Sequence, residues 1–423
     1  MRQIDAAWES LFEEYDIINK VQKHGKFIIS ADQIREYKEP RLMTKFDHKV
    51  NLPDIFKVNN LSILPVTRGD YIISSFSAYM NFSDKVSEAQ RVSLPLYIQS
   101  LMPKFIVSEA IALNYANACG ILNDFLEDDE LVPTVNGRMS SGKFQFNIDT
   151  DIGKQIVDVN NSQIEIDAAY EGINYLSIFE AKRDLSEDFI VRQLYYPFRV
   201  WSRRISKEIK PVFLVFSNGM FSLYQYKFMD LQNYNSLVLA KQKNYVIATE
   251  IRLSDIEGLL QTVRLTREPN ISFPQANKMS RIINLIELLY EKPLTKQDVT
   301  LEYSFDERQT SYYADAGRYL GLIEKSVNVD GSIVFRLTEM GRHIMELEYK
   351  ERQIAIIKQI LVHRVFNETL RQHLKMGEMP TKEAVVKIMK ESNLHDIEAE
   401  STFIRRSSTV IGWVNWILDT IEE

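Results

Sequence analysis

Cysteine occurs once, at Cys119, so neither a disulfide framework nor a cysteine-rich zinc site is open to this chain. Long apolar runs are missing too. No stretch approaches the roughly 18 uncharged apolar residues of a membrane-spanning helix. The opening residues, Met1-Arg2-Gln3-Ile4-Asp5-Ala6-Ala7-Trp8-Glu9, have no apolar signal core, and the expected location is therefore cytoplasmic, with no membrane partner. Basic residues are not in excess: 51 Lys and Arg against 58 Asp and Glu give a net charge of −7. A globally basic nucleic-acid coat protein is thereby excluded, whereas a local basic groove on an acidic body is not. There is no Gly-x-x-x-x-Gly-Lys-Ser/Thr string for an ATP-driven motor and no Gly-x-Ser-x-Gly elbow for a serine hydrolase. The six histidines (His24, His48, His343, His363, His373, His395) lack zinc-ligand spacing and read as surface residues.

What is present is the balance of an ordinary folded protein, 45% hydrophobic and 26% charged over 423 residues. At about 150 residues per domain that length suggests roughly two to four domains. Residues 1–100 read as an α+β region with a possible part in DNA recognition. They comprise an amphipathic helix over 5–23 with Trp8, Leu11, Phe12 and Ile18 inward, a helix start at Ser30-Ala31-Asp32-Gln33, and short strands over 61–66 and 71–76. The phrase Glu39-Pro40-Arg41-Leu42-Met43-Thr44-Lys45-Phe46-Asp47-His48 reads as a loop of solvated charges.

From 101 to 265 helices and strands interleave. Ser108 starts a long helical run to about Leu126, with Ala110, Leu113, Ala116, Ile121 and Leu122 inward. Alternation marks strands at Phe144-Gln145-Phe146 and at Gln163-Ile164-Glu165-Ile166-Asp167-Ala168, and a turn at Glu171-Gly172-Ile173-Asn174 leads to a second strand over 175–182. A helix is expected over 187–205, capped by Ser186. Strands over 212–216 and 221–226 flank Asn218-Gly219, a short-hairpin signal. A strand near 245–248 and a helix over 254–263 close the region. Residues 266–274, with two prolines, read as a linker.

Beyond the linker the chain is mainly helical. Three helices, over 279–290, 296–303 and 307–319, precede a two-stranded wing over 322–327 and 333–337, the order of a winged helix-turn-helix spanning 275–347. Residues 350–423 read as a second helix-turn-helix-like domain with its wing reduced or absent. The outward residues of the third helix, Arg308, Gln309, Ser311 and Tyr312, suit base edges and phosphates. Arg405-Arg406-Ser407-Ser408-Thr409 is expected to open the last helix and face DNA through Arg405, Arg406, Ser407 and Thr409.

The chemistry-bearing stretch is 163–182. Glu165 and Asp167 are two apart on one strand and share a face, as do Glu180 and Lys182 on the next. An acidic pair and a Glu-x-Lys on adjacent strands can converge on one point. Acidic side chains in an apolar sheet are costly unless they ligate a cation or pair with a base. A divalent metal held by Asp167, Glu180 and the Ala181 carbonyl would remove that cost, and Mg²⁺ suits such oxygen ligands. Lys182 could then hold an attacking water or stabilise charge developing on a phosphate.

Asp167, twelve residues, then Glu180-Ala181-Lys182, followed by Gln193 in Phe189-Ile190-Val191-Arg192-Gln193-Leu194-Tyr195-Tyr196-Pro197-Phe198-Arg199, resembles the PD-(D/E)xK nuclease superfamily, with type II restriction endonucleases the nearest comparison. The resemblance covers about residues 105–230, with Ile166 standing where the namesake motif has proline. It implies an α/β (α+β) nuclease core, a mixed sheet flanked by helices, fused to mainly α winged-helix C-terminal domains. It implies Asp167, Glu180 and Lys182 as catalytic residues, Gln193 as a supporting residue, and Glu109 as the acidic residue on the preceding helix. It implies Mg²⁺-dependent hydrolysis of phosphodiester bonds in double-stranded DNA at a specific sequence, with Mn²⁺ able to substitute. A homodimer, at least on DNA, and a DNA methyltransferase encoded nearby are the partners implied. Two alternatives stay open: a DNA-binding regulator with an inert nuclease-like fold, and a repair or structure-specific nuclease.

Overall fold

The computed structural model of the chain describes residues 3–83, 88–101, 108–183, 185–302, 307–328 and 331–422. It is a mixed α/β protein with two compact units. One comprises Met1–Pro95, Ser108–Phe216 and Met220–Val246, and the other Leu96–Val107, Ser217–Gly219 and Ile247–Glu423. No described helix is long and apolar enough to cross a membrane.

The first unit is built on a seven-stranded sheet. Its spatial order is Ala89–Val92, Leu237–Ile247, Met220–Phe228, Glu208–Ser217, Tyr175–Lys182, Gln163–Glu171 and Val132–Ser140. Tyr175–Lys182 and Glu208–Ser217 run parallel, in register from Tyr175↔Glu208 to Lys182↔Val215. A parallel pair needs a crossover, and the helix Arg192–Trp201 lies in it. The expected hairpin after Glu208–Ser217 turns on Asn218 and Gly219, at φ 50° and 71°, the left-handed pair that a tight two-residue turn requires.

The crossover helix is anchored by aromatic packing. Tyr195 meets Phe146, Phe228 and Tyr234 edge-on at 5.2, 4.9 and 5.2 Å between ring centres. Arg199, near the end of this helix, is 1% exposed, donating to Gln145 O at 3.0 Å and to the Tyr195 hydroxyl at 2.8 Å.

Several boundaries differ from the sequence reading. The first helix breaks at Asp16 (φ 49°) into Gln3–Glu14 and Ile17–His24, so Ile17, not Ile18, is the fully buried residue. Gly120 (φ 73°) breaks the run after Ser108 into Glu109–Ala118 and Ile121–Leu126, and Ala112 rather than Ala110 faces inward. Residues 187–191 do not begin a helix. Asp188–Ile190 is a strand paired with Tyr79–Asn81, and the hydroxyl of Ser186 finds no partner among the described residues. Residues 3–83 and 88–95 fall in the same compact unit as the seven-stranded sheet.

In the second unit the helix Met279–Glu291, the short strand Leu294–Thr295, the helices Lys296–Glu302 and Glu307–Tyr319, and the strands Ile323–Val327 and Ile333–Leu337 follow in order. Leu294–Thr295 pairs with Ile333–Leu337, which pairs with Ile323–Val327. Val329 and Asp330, expected in the turn, lie outside the described residues. The region after 348 holds four helices among the described residues, Tyr349–Leu361, Arg364–Met376, Lys382–Lys390 and Glu400–Asp419.

The linker expectation fails. The units divide after Val246, so the helix Leu253–Thr262 belongs to the second unit, not to the sheet before it. Residues 266–274 are packed: Thr266 N donates to Val362 O at 2.9 Å, and Phe273, 1% exposed, stacks on Phe366 at 5.9 Å.

Candidate active site

The strand ladder itself assembles the first part of the site. Gln163–Glu171 and Tyr175–Lys182 pair antiparallel from Leu176↔Glu171 to Phe179↔Ala168. Past that point a side chain replaces the neighbouring backbone: Asp167 Oδ2 accepts the Ala181 N–H at 2.8 Å. Alternation puts Glu180 and Lys182 on one face and turns Ala181, fully buried, to the other. The position is the carboxyl end of a strand in a parallel pair, where open α/β sheets characteristically bind ligands.

Around Glu180 the bonds converge. Its Oε1 accepts from Lys182 Nζ at 2.6 Å and from Gln193 Nε2 at 2.7 Å. Gln193 reaches it from the first turn of Arg192–Trp201. Glu109 approaches Lys182 instead, as the first residue of Glu109–Ala118, a helix whose Ile111 N–H is capped by Ser108 Oγ. The Glu109 carboxylate stands 3.8 Å from Lys182 Nζ. Asp167, Glu180, Lys182, Gln193 and Glu109, expected together, are thus brought together. Glu165 is not. It turns outward to Arg138 on the edge strand at 3.2 Å and touches Asp167 only through its field.

Asp47 was missed. The phrase expected to be a solvated loop holds a short helix, Pro40–Thr44, followed by Asp47 and His48, 9% and 3% exposed. Asp47 Oδ2 lies 3.6 Å from the exposed Lys45 ammonium, and its strongest favourable charge partner is Lys182. His48, expected at the surface, sits against Asp188. No local pattern marks Asp47, because its burial depends on contacts with residues more than 100 positions away.

Several carboxyls therefore share one buried ammonium. Burial pushes Glu180 up to about 8, with Lys182 opposing and the fields of Asp167 and Asp47 adding to the rise. Asp167 is raised for the same reason, burial, against the pull of Lys182 and the Ala181 N–H. For Lys182 burial acts downward but is outweighed by Glu180, Glu109, Asp47 and Asp167, so the ammonium is held well above its ordinary value. Burial also pushes Asp47 up, yet Lys182, Lys45 and Arg192 outweigh it and leave its carboxyl below the ordinary value.

Among the described residues no group of three or more His, Cys, Asp or Glu side chains is arranged to hold a metal by itself. By its chemistry the donor set, the carboxylates of Asp167 and Glu180 with the backbone carbonyl of Ala181, suits a hard cation that keeps its own waters. A further polar atom is left over: the buried Gln193 Oε1 finds no hydrogen-bond partner among the described residues.

The residues expected to touch DNA fare unevenly. Tyr312 is exposed, and Gln309 is half-buried and accepts from Arg281 at 3.3 Å. Ser311 is half-buried as well, while the side chain of Arg308 lies outside what the structure describes. In the last helix the expectation needs correcting. Glu400–Asp419 begins five residues before Arg405, so the cluster does not open it. Ser407 and Thr409 are buried, Ser407 returning its hydroxyl to Ile404 O at 2.8 Å. Arg406 donates to the carbonyl of Phe273, leaving Arg405 as the exposed arginine. Trp413 packs in the core with its ring N–H on Ala276 O at 2.8 Å. His363, expected at the surface, is also buried, stacked on Tyr319 at 4.1 Å.

Three family models match the chain, each described as a domain of unknown function: DUF6996 over residues 5–73, DUF6997 over 74–246 and DUF7226 over 281–422. No curated protein and no solved structure matches it.

Proposed function

We propose that the chain is a type II restriction endonuclease of the PD-(D/E)xK kind, hydrolysing phosphodiester bonds of double-stranded DNA at a specific sequence with Mg²⁺. The observation that carries the reading is the cluster at the end of a parallel strand, where Lys182 and Gln193 both donate to Glu180, Glu109 lies beside Lys182, and Asp167 accepts the Ala181 N–H between them. Asp167, Glu180 and the Ala181 carbonyl would hold the metal, whose waters complete its coordination. When bound, Mg²⁺ supplies Lewis-acid stabilisation of charge on the phosphate and a more acidic water.

The chain's own residues do the rest. Lys182 brings a permanent positive charge to the scissile phosphate and can donate to a non-bridging oxygen as negative charge builds there. Gln193 holds Glu180 in one orientation, so the carboxylate need not reorganise during the reaction. Glu109, partly exposed, completes the acidic surround of Lys182 and stands where a proton from water could be received.

The order of helices and strands from Met279 to Leu337 supports a winged helix that adds DNA affinity or sequence reading. Cutting both strands calls for two such sites, hence a homodimer, at least on DNA. A methyltransferase encoded nearby would protect the host.

Incubating the purified protein with phage DNA and Mg²⁺, then sequencing the fragment ends, tests the reading. Fragments with one recurrent end sequence are expected. Intact DNA in both Mg²⁺ and Mn²⁺, with DNA binding retained, would favour a regulator with an inert fold. Cleavage governed by DNA structure rather than by sequence would favour a repair nuclease.

A further inference from the structure

Residues 40–49 turn their cations outward from a segment that is otherwise tied down. Arg41, Lys45 and Lys49, each four residues from the next, are exposed, while Pro40, Met43, Phe46, Asp47 and His48 are buried. The Trp8 ring N–H donates to Met43 O at 2.9 Å, and the Tyr79 hydroxyl donates to Phe46 O at 2.8 Å. Ile190 N donates to Asp47 O at 2.8 Å, and Lys49 N donates to the Asp188 carboxylate at 3.1 Å. The His48 ring bonds the carbonyl of Asp188. The three cations therefore stand on a backbone that is already ordered, which spares part of the entropic cost of binding a ligand.

The same bonds set where the cations stand. Asp188–Ile190, the strand that receives three of them, ends three residues before Gln193, whose side chain donates to Glu180 at 2.7 Å. The segment and the active site thus share one strand-to-helix junction. Charge on the segment also departs from that of the chain, in which 58 acidic residues outnumber 51 basic ones. Residues 39–49 expose three cations and a single carboxylate, Glu39. Lys45 Nζ lies 3.6 Å from Asp47 Oδ2 and keeps a side chain 61% exposed, so its charge is still presented to solvent. Cations spread along ten residues suit an extended polyanion rather than a small one. Duplex DNA carries one negative charge per about 1.7 Å of its axis, so a phosphate held at the site has neighbours to meet them.

We propose that Arg41, Lys45 and Lys49 form a lip that grips the DNA backbone beside the scissile phosphate, seating the duplex without reading its sequence. The proposal rests on the nuclease reading above for its ligand. It gives the region matched over 5–73 a substrate-binding part in the catalytic region matched over 74–246.

The test is binding of the full chain to a short DNA duplex without Mg²⁺ over a salt series, paired with steady-state cleavage in Mg²⁺ and with thermal melting. The variants are Arg41→Ala, Lys45→Ala, Lys49→Ala and the three combined. Lys23→Ala, which removes an exposed cation from the helix Ile17–His24, is the control. Each single lip variant should flatten the slope of log K against log salt by about 0.9 unit, and the triple variant by about 2.7, for all sequences alike. KM should rise with kcat unchanged, the mark of binding shared by substrate and transition state. Melting should hold in the lip variants, and Lys23→Ala should match the wild type throughout. Arg41→Ala and Lys49→Ala leave Asp47 its partner Lys45, so they decide the matter if Lys45→Ala lowers melting. A triple variant with the wild-type slope overturns the lip. So does a Lys23→Ala slope as flat as that of a lip variant, which would reduce the effect to net charge. In either case a wild type that cuts leaves the nuclease reading standing. Flattened slopes on a wild type that does not cut would keep the DNA-gripping surface and sink the nuclease reading. A wild type that neither binds nor cuts DNA ends both.

Discussion

Gln193 Nε2 stands 2.7 Å from Oε1 of Glu180, the same oxygen that receives the Lys182 ammonium at 2.6 Å. Two donors on one oxygen fix the plane of that carboxylate, and one of them, the ammonium, also offsets its charge. Gln193→Ala should therefore slow cleavage without abolishing it. Loss of one hydrogen bond to a charged group is worth about 1.5–3 kcal/mol, or roughly 10- to 100-fold in rate. Gln193→Glu should be worse, because it adds a carboxyl to a site already crowded with them. A Gln193→Glu rate above that of Gln193→Ala would contradict the orienting role.

Asp167→Ala, Glu180→Ala and Lys182→Ala should each abolish cleavage, by about 10²-fold or more, with DNA affinity largely kept. On the proposed reading the first two remove metal ligands, and the third removes the buried cation. Gel-shift affinity and plasmid nicking measured on the same preparations separate the two functions. Full cutting by any one variant removes that residue from the site.

The site should bind metal in competition with protons. Below about 8 the folded, metal-free protein retains the Glu180 proton, whereas an unfolded chain releases it in the ordinary carboxyl range. The stability contributed by this group is thus fully present below the ordinary carboxyl value and is lost as pH rises toward 8. Mg²⁺ needs the ionised form, so its apparent affinity should climb about tenfold per pH unit between 6 and 8 for one displaced proton. Melting curves with and without Mg²⁺ at three pH values measure both effects. Equal Mg²⁺ shifts at pH 6 and pH 8 would contradict the assignment of Glu180 as a ligand, and Glu180→Gln should flatten the dependence.

Parity along a strand is a local property, and this is why Glu180 and Lys182 could be placed on one face from sequence alone. Glu165 obeyed the same parity yet left the site, because Arg138 on the edge strand offered a nearer partner. Ser186 with Glu187 and Asp188 imitates a capped helix start. The structure uses Asp188 differently, as an acceptor for Lys49 N and a strand partner of Asn81, and neither use leaves a local trace. Asp47 was illegible for the same reason. In the last helix polarity misled: a buried serine can satisfy its hydroxyl on the preceding turn, as Ser407 does on Ile404, so a run of hydroxyl residues need not face solvent.

Arg405 and Arg406, adjacent in sequence, should behave as opposites. Arg406 holds the carbonyl of Phe273, a buried residue of the strap over 266–274, so Arg406→Ala should lower the stability of the second unit by about 1–3 kcal/mol. Arg405 is exposed, and Arg405→Ala should leave melting unchanged within about 0.5 kcal/mol. If the helix Glu400–Asp419 lies on DNA, Arg405→Ala should also flatten the slope of log K against log salt by about one unit, for all sequences alike. An unchanged slope removes this helix from the DNA surface. Recognition would then rest on the helix Glu307–Tyr319, where Tyr312 is exposed, and Tyr312→Ala becomes the variant whose specificity must change. A melting temperature that falls for Arg405→Ala and holds for Arg406→Ala would reverse the two roles and contradict the packing of the strap.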